Sequence, residues 1–361
     1  MREAWLEIDT EAIARNCRKI IEKTQVDLIG VVKANGYGHG IVQAAKSCEK
    51  GGAKMLAVAD LDEAIRVREA GVGLPVLIFN WVPDRYVREL ISNDFIYSLS
   101  DIETAAKLNE EARRLGRALR VNLCLDTGMH RFGIQPDEWE GFLREFDNFT
   151  SLDAEGVFSH FADPDNNEFK TYQLDLFNNM LFQASQSGMQ FKYSHMGRTG
   201  TLNFDDAFFD MNRCGLALYG ATDVINDLEP ALMFKTIIIS IEKIAANEKV
   251  GYELTYTTSR PTTLAVLAVG YSNGYDKRFS NNSEVLVNYK KCPVVGKVCM
   301  NHTIVDITDV TAKVGDEVIL IGAQGEASVT AESLAKRLDS SAHEILAGLP
   351  SSLERVYYKV S

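Results

Sequence analysis

Val26-Asp27-Leu28-Ile29-Gly30-Val31-Val32-Lys33-Ala34-Asn35-Gly36-Tyr37-Gly38-His39-Gly40 is the stretch whose reading decides the fold. A mostly apolar run ends in a single lysine, and Gly36, Gly38 and Gly40 follow it. The helical pattern Ile41-Val42-Gln43-Ala44-Ala45 comes next, so the stretch reads as a strand, a tight turn and a helix. The lysine then stands at the carboxyl end of a strand, where α/β barrels and open α/β sheets place their chemistry. An amine behind two valines is partly desolvated. That lowers its pKa and frees it for covalent chemistry with a carbonyl group. A lysine at a strand end is also an ordinary surface residue, so the rest of the chain must choose.

Outward from this unit the alternation continues. Trp5-Leu6-Glu7-Ile8-Asp9 predicts a short strand, and Asp9-Thr10 the start of a helix running through Ile21. Strands are predicted at 55–59, 75–79, 95–99, 119–125 and 154–160, with helices at 61–70, 83–91, 101–115, 136–146 and 167–187 between them. Phe191-Lys192-Tyr193-Ser194 and Gly215-Leu216-Ala217-Leu218 complete the strand set. About eight βα units over roughly 220 residues match the size and rhythm of a TIM barrel; an open doubly wound sheet is the alternative. The rhythm changes near Lys235. Short strands at 236–241, 263–267, 284–287, 292–295, 303–306 and 317–320 predict a mainly β domain with one helix, Ala331 to Arg337. The expected division is a barrel over 10–235 and a β domain over 236–361, which the N-terminal strand 1–9 joins.

Composition narrows the function. The 361 residues carry a formal net charge of −12, which disfavours nucleic acid or an anionic membrane as partner. No run approaches the length of a membrane helix, and the N-terminus has no long apolar leader. Six cysteines without a CxxC pair read as reduced thiols of a cytoplasmic protein, and no metal-ligand cluster is expected.

Further motifs fall at predicted strand ends. Asp126-Thr127-Gly128-Met129-His130-Arg131-Phe132-Gly133 places an arginine suited to a carboxylate or phenolate oxygen. Ser159-His160-Phe161 ends the next strand. Ser194-His195-Met196-Gly197-Arg198-Thr199-Gly200 and Arg213-Cys214-Gly215-Leu216-Ala217-Leu218-Tyr219-Gly220 are candidate anion turns, or ordinary loops. The β domain adds Val250-Gly251-Tyr252-Glu253, Gly270-Tyr271-Ser272-Asn273-Gly274-Tyr275 and Val298-Cys299-Met300-Asn301. A tyrosine beside glycine is a turn aromatic, or an acid–base group where a cation lies near.

In this order, over nearly the whole chain, the motifs resemble the alanine racemase family. The resemblance implies a TIM barrel followed by a β domain, pyridoxal 5′-phosphate (PLP) as cofactor and a head-to-tail homodimer with shared active sites. It implies that Lys33 holds PLP and acts as one base, and that Tyr252 of the other subunit is the opposite-face base. Arg213 would face the pyridine nitrogen, with His160 and His195 ordering Tyr252 and Arg213 through hydrogen bonds. Tyr37, Thr199, Gly215 and Leu216 would hold the phosphate, with Arg198 beside the cofactor. Arg131, Met300, Asn301 and Tyr271 would serve the substrate, Arg131 alternatively the phenolic oxygen.

Several positions depart from the family pattern. Arg198-Thr199 stands where Asn-Ser is usual, Asn301 replaces an aspartate, and Cys124 replaces a lysine that is carbamylated in the family. Ser272 and Asn273 replace Ala-Asp, and Ser351 aligns loosely with a tyrosine. These changes surround the substrate and leave Lys33 and Tyr252 intact. The expectation is therefore a two-base racemase acting on alanine or on a polar amino acid such as serine. A PLP-dependent decarboxylase and a non-catalytic PLP-binding protein are the alternatives. The decarboxylases' Cys-Asp motif is absent from the β domain, and a bare carrier would lack that domain.

Overall fold

The computed structural model describes residues 3–358. The first two residues of the expected N-terminal strand and the last three of the expected β domain lie outside them.

The chain opens with β1 (Ala4–Asp9), which buries Trp5, Leu6 and Ile8. Asp9 ends the strand and caps the next helix, Thr10–Thr24, by accepting from the Glu11 and Ala12 N–H groups. Eight parallel strands then form a barrel: β2 (Asp27–Val31), β3 (Met55–Val58), β4 (Val76–Ile78), β5 (Phe95–Leu99), β6 (Leu119–Cys124), β7 (Leu152–Phe158), β8 (Tyr193–His195) and β9 (Met211–Cys214). Each pairs with its sequence neighbour from β2 to β8, and β9 returns beside β2 with Asp27 opposite Met211 and Gly30 opposite Cys214. Strands β3, β4 and β5 are buried throughout, which is why they read as unbroken apolar runs.

The seam lies between β8 and β9, the two ends of the hydrogen-bonded path. Side chains cross it instead. The Ser194 N–H and Oγ–H both donate to Asp210 Oδ2 at 2.7 Å. Arg213, on β9, donates to the His195 carbonyl at 3.0 Å.

The last barrel strand differs from the expected one. Residues Leu216–Tyr219 form a tight helical turn, and the strand lies just before it at Met211–Cys214. The strand is buried but carries the polar Asn212 and Arg213, while the turn after it is the apolar run Leu216-Ala217-Leu218-Tyr219, so the apolar pattern points to the wrong piece. The correction moves Arg213 from a loop onto a strand, with its side chain in the barrel mouth.

The second domain is a β-sheet built on β10 (Leu232–Ile244), which starts ahead of the expected Thr236. β10 pairs with β1 along Leu232–Thr236 and with Thr262–Leu267 beyond a bulge near Ile238. The N-terminal strand is therefore part of this sheet, between β10 and the parallel strand Glu354–Tyr358. Two helices close the C-terminal region rather than one: Ala331–Arg337 and Ala342–Ala347. The second is a short helix that a sequence period cannot reveal. It packs on the glycine turn after β2, and a side chain at Gly38 would run into the Leu346 carbonyl.

Replacing Asp210 by alanine removes both seam bonds from Ser194. It should lower unfolding free energy by about 1 kcal/mol, since both bonds are near the surface. Urea denaturation checks this; an unchanged midpoint would mean the seam is held elsewhere.

Candidate active site

Lys33 sits two residues beyond the end of β2, at the entry to an unusual turn. Ala34, Asn35, Gly36 and Tyr37 all take left-handed conformations, with φ of 54, 53, 64 and 50°. For residues other than glycine this costs on the order of 1–2 kcal/mol each. The turn is held by its own backbone, with Gly36 N–H on the Val32 carbonyl at 2.8 Å and Gly40 N–H on the Asn35 carbonyl at 2.8 Å. Glu63 pins it from the next βα unit: its carboxylate accepts from Asn35 N–H and from Ala59 N–H, each at 3.0 Å. The lysine is thus presented by a rigid, strained turn, not by the strand itself.

The Lys33 amine stands 6.0 Å over the Phe79 ring centroid. Burial holds it below the ordinary lysine range; the charges of Arg131 and Arg213 push the same way and Glu63 opposes them. It faces a cavity of about 580 Å³ at the C-terminal ends of the barrel strands. The lining includes Lys33, Arg131, Arg198 and Arg213 and, among the described residues, no aspartate or glutamate. In a chain with net charge −12, this is a local positive site built for an anion.

Arg213 is the best fixed of these cations, at 4% exposure. It donates to the Ser159 carbonyl at 2.7 Å, the Met196 carbonyl at 3.1 Å, His160 Nδ1 at 3.0 Å, and both the carbonyl and Nδ1 of His195. Burial lowers its pKa to about 10, which still leaves it charged at neutral pH. Burial, then the Arg213 charge, holds His160 and His195 well below the ordinary histidine range. Both rings are therefore neutral acceptors of guanidinium hydrogens. His195 also stacks on Phe158, with centroids 5.0 Å apart and planes within 9°.

A second group gathers across the mouth. Thr199 Oγ1 accepts from the Gly215 and Ala217 N–H groups at 3.3 and 3.4 Å. A Cβ on Gly215 would collide with the Tyr37 hydroxyl, so the tyrosine lies against that backbone. Burial pushes the Tyr37 phenol up to about 12, so it is a neutral donor. Tyr37 also contacts the rings of Tyr219 and His343. Leu216 lines the same wall. Amide and hydroxyl donors converging without a carboxylate suit a phosphate.

Cys124 lies under the Arg131 loop, its Sγ 3.9 Å from the Phe132 carbonyl. Burial pushes its thiol up to about 12, against the pull of Arg213 and Arg131, so no anion stands there to support Arg131. Arg131 is exposed at the rim, stacked over Phe132.

Tyr252, Tyr271, Met300 and Asn301 do not line the cavity of their own chain. They lie on the β domain, where Tyr252 is 70% and Met300 56% exposed. Ser272 ties two of these loops together, donating to the Met300 carbonyl at 2.7 Å and accepting from Asn301 Nδ2 at 2.9 Å. The Tyr252 loop carries left-handed φ at Gly251, Glu253 and Leu254, a strained presentation like that of Lys33. Ser351 is exposed and outside the lining; His343 and Ala347, from the short C-terminal helix, form that wall instead. His343 and Glu63 escaped the sequence reading because neither belongs to a glycine-rich motif or a strand end. The one signal for Glu63 was its place three residues after Asp60, a helix-start pattern.

Residues 8–223 match the family model "Alanine racemase, N-terminal domain" and residues 231–357 the model "Alanine racemase, C-terminal domain". The chain belongs to the alanine racemase family. It is an isomerase, an amino-acid racemase. It is 36% identical to "Alanine racemase 2" of Caldanaerobacter subterraneus subsp. tengcongensis, across 99% of this chain and 95% of that protein. Among solved structures it is similar to the alanine racemase of D-cycloserine-producing Streptomyces lavendulae, with a TM-score of 0.94 at 29% identity over 100% of this chain and 98% of that one. The alanine racemase of Bartonella henselae with covalently bound pyridoxal phosphate matches with a TM-score of 0.89 at 26% identity, over 99% of this chain and 100% of that one.

The lowered pKa of Lys33 predicts that its amine is free at a lower pH than exposed lysines are. In competitive amine acylation of the cofactor-free protein across pH, read by peptide mass, Lys33 should reach half-modification below the midpoint of the exposed lysines. A midpoint equal to theirs would contradict the desolvation argument.

Proposed function

We propose that this racemase interconverts the enantiomers of alanine or of a polar amino acid such as serine, using PLP held at Lys33. One observation carries the reading: a desolvated amine opens onto a cavity ringed by Arg131, Arg198 and Arg213 and, among the described residues, free of carboxylates. The residues present fit the cofactor. Lys33 would attach it, the Tyr37, Thr199, Gly215 and Leu216 wall would take its phosphate, and Arg213 would meet its ring nitrogen. When bound, PLP supplies an electron sink that stabilises negative charge at the substrate Cα.

The chain's own groups then do the rest. The Lys33 amine, free at a lower pH than a surface lysine, takes or returns the Cα proton on one face. The partner subunit's Tyr252 does so on the other, as inversion needs two groups on opposite sides. Arg213 cannot readily give up a proton, so it would meet the ring nitrogen without protonating it and would favour return of the proton at Cα. Its neutral acceptors, His160 and His195, fix its position without adding charge. Arg131 orients the substrate carboxylate or the phenolic oxygen, and the partner subunit's Met300 and Asn301 complete the carboxylate site.

The exposed apolar residues Tyr252, Leu254, Tyr271 and Met300 support a homodimer, because this face supplies what the cavity of one chain lacks. The neutral Asn301, expected beside the substrate carboxylate, supports a polar substrate. The cytoplasm is the compartment this reading assigns, in keeping with the free cysteines Cys17, Cys48, Cys124, Cys214, Cys292 and Cys299.

Borohydride reduction of the PLP-loaded protein should leave the pyridoxyl group on Lys33; label on another lysine overturns the assignment. Tyr252→Phe should slow deuterium uptake at Cα from one enantiomer by roughly 100- to 10,000-fold and spare the other. Equal loss from both enantiomers would sink the two-base scheme. Rates on a panel of amino acids, with carbon dioxide release followed in parallel, test the substrate. Strong preference for alanine over serine and all larger residues would remove the polar substrate, and carbon dioxide release would replace racemisation by decarboxylation.

A further inference from the structure

We propose that Arg198 is a cationic clamp on the cofactor phosphate; the inference rests on the PLP reading above. The phosphate wall is otherwise neutral. Tyr37 is a protonated phenol, Thr199 offers a hydroxyl, and Gly215 and Leu216 offer backbone. A phosphate is doubly charged or nearly so, and moving it from water into a cavity costs heavily without a counter-charge.

The other cations of the cavity are committed. Lys33 is the point of attachment. The Arg213 guanidinium is bound to acceptors on the turns after β7 and β8. Arg131 follows β6, two strands away from Thr199 around the barrel, and stacks on Phe132.

Arg198 is different. It immediately precedes Thr199, lines the same cavity and is half-buried. Among the described residues its guanidinium has no carboxylate partner. Nη1 makes a long bond of 3.4 Å to the Phe161 carbonyl, which leaves other N–H groups available. The chain before the Thr199 turn is held firmly, because the Arg198 N–H donates to Thr201 Oγ1 at 2.9 Å and the Thr201 hydroxyl donates back to the Arg198 carbonyl at 2.9 Å. The guanidinium lies over Gly200, with Nε 3.6 Å from where a Cβ would stand. Its charge acts on both rings at this end of the cavity: after burial, it is one of the influences on Tyr37 and on His343. A half-buried guanidinium among like charges is unfavourable alone and becomes favourable when an anion enters.

The test strips PLP from the full-length protein with hydroxylamine. It then titrates wild type, Arg198→Asn and Arg198→Lys with PLP and, separately, with pyridoxal, which lacks the phosphate. Binding is read from imine absorbance. Arg198→Asn should weaken PLP binding by roughly 10- to 100-fold and pyridoxal binding by less than about 2-fold, with Arg198→Lys recovering part of the loss. Salt should weaken PLP binding more steeply in wild type than in Arg198→Asn. Unchanged PLP affinity overturns the clamp. So does equal loss for PLP and pyridoxal in both variants, which would mark a structural role. Unchanged PLP affinity with a raised KM confined to dicarboxylic amino acids overturns it in favour of a substrate side-chain carboxylate. Wild type that forms no imine with PLP would instead remove the cofactor reading, and the clamp with it.

Discussion

The buried guanidinium of Arg213 is the interaction on which the barrel mouth depends. A charge at this depth is tolerable only when it is well supplied with hydrogen-bond acceptors, as the Nη1 and Nη2 hydrogens are here. Here they reach carbonyls and imidazole nitrogens on the turns after β7 and β8, across the one seam where the strands do not pair. The same contacts that stitch the barrel also aim the guanidinium into the cavity. Burial first, and then the Arg213 charge, keeps two histidines neutral as well.

Opposite this stands the left-handed turn that presents Lys33. Its conformational cost is offset by local backbone bonds and by Glu63, and the C-terminal helix Ala342–Ala347 packs against its glycines. Barrel and β domain are therefore coupled beside the cavity. The first and last strands, β1 and Glu354–Tyr358, pair side by side in the sheet that carries this helix close to the turn. Rigidity on both sides of the cavity leaves the amine and the guanidinium at fixed positions, as the proposed proton transfer at a single carbon would need.

The electrostatics follow from this construction. Lys33, Arg131, Arg198 and Arg213 share one cavity without a carboxylate among the described residues, so these cations repel one another and gain from binding anions. Cys124 beneath the Arg131 loop is a neutral thiol and Arg198 is a further cation, so neither offsets the positive character of the lining. Such a site stores part of its binding energy as repulsion among its own residues.

The strand–helix alternation, the lysine after Val31-Val32 and the order of the glycine-rich motifs were all legible in the sequence. They were legible because buried parallel strands are continuous apolar runs, and because tight turns select glycine. Sequence alone also placed Arg131, His160, His195 and Arg198 at strand ends. It could not separate the β9 strand from the turn at Leu216–Tyr219, since the strand buries the polar Asn212 and Arg213 while the turn is the apolar run. Nor could it find His343 or Glu63, whose roles come from elements brought together across the fold. Only the tertiary structure decided that Arg213 lies inside a carbonyl and imidazole cage. It also put Tyr252, Tyr271, Met300 and Asn301 on the β domain, outside the lining of their own chain's cavity. The physical reason is that periodicity reports which face of an element is buried, while contact between distant segments depends on how the barrel closes and where the β domain docks.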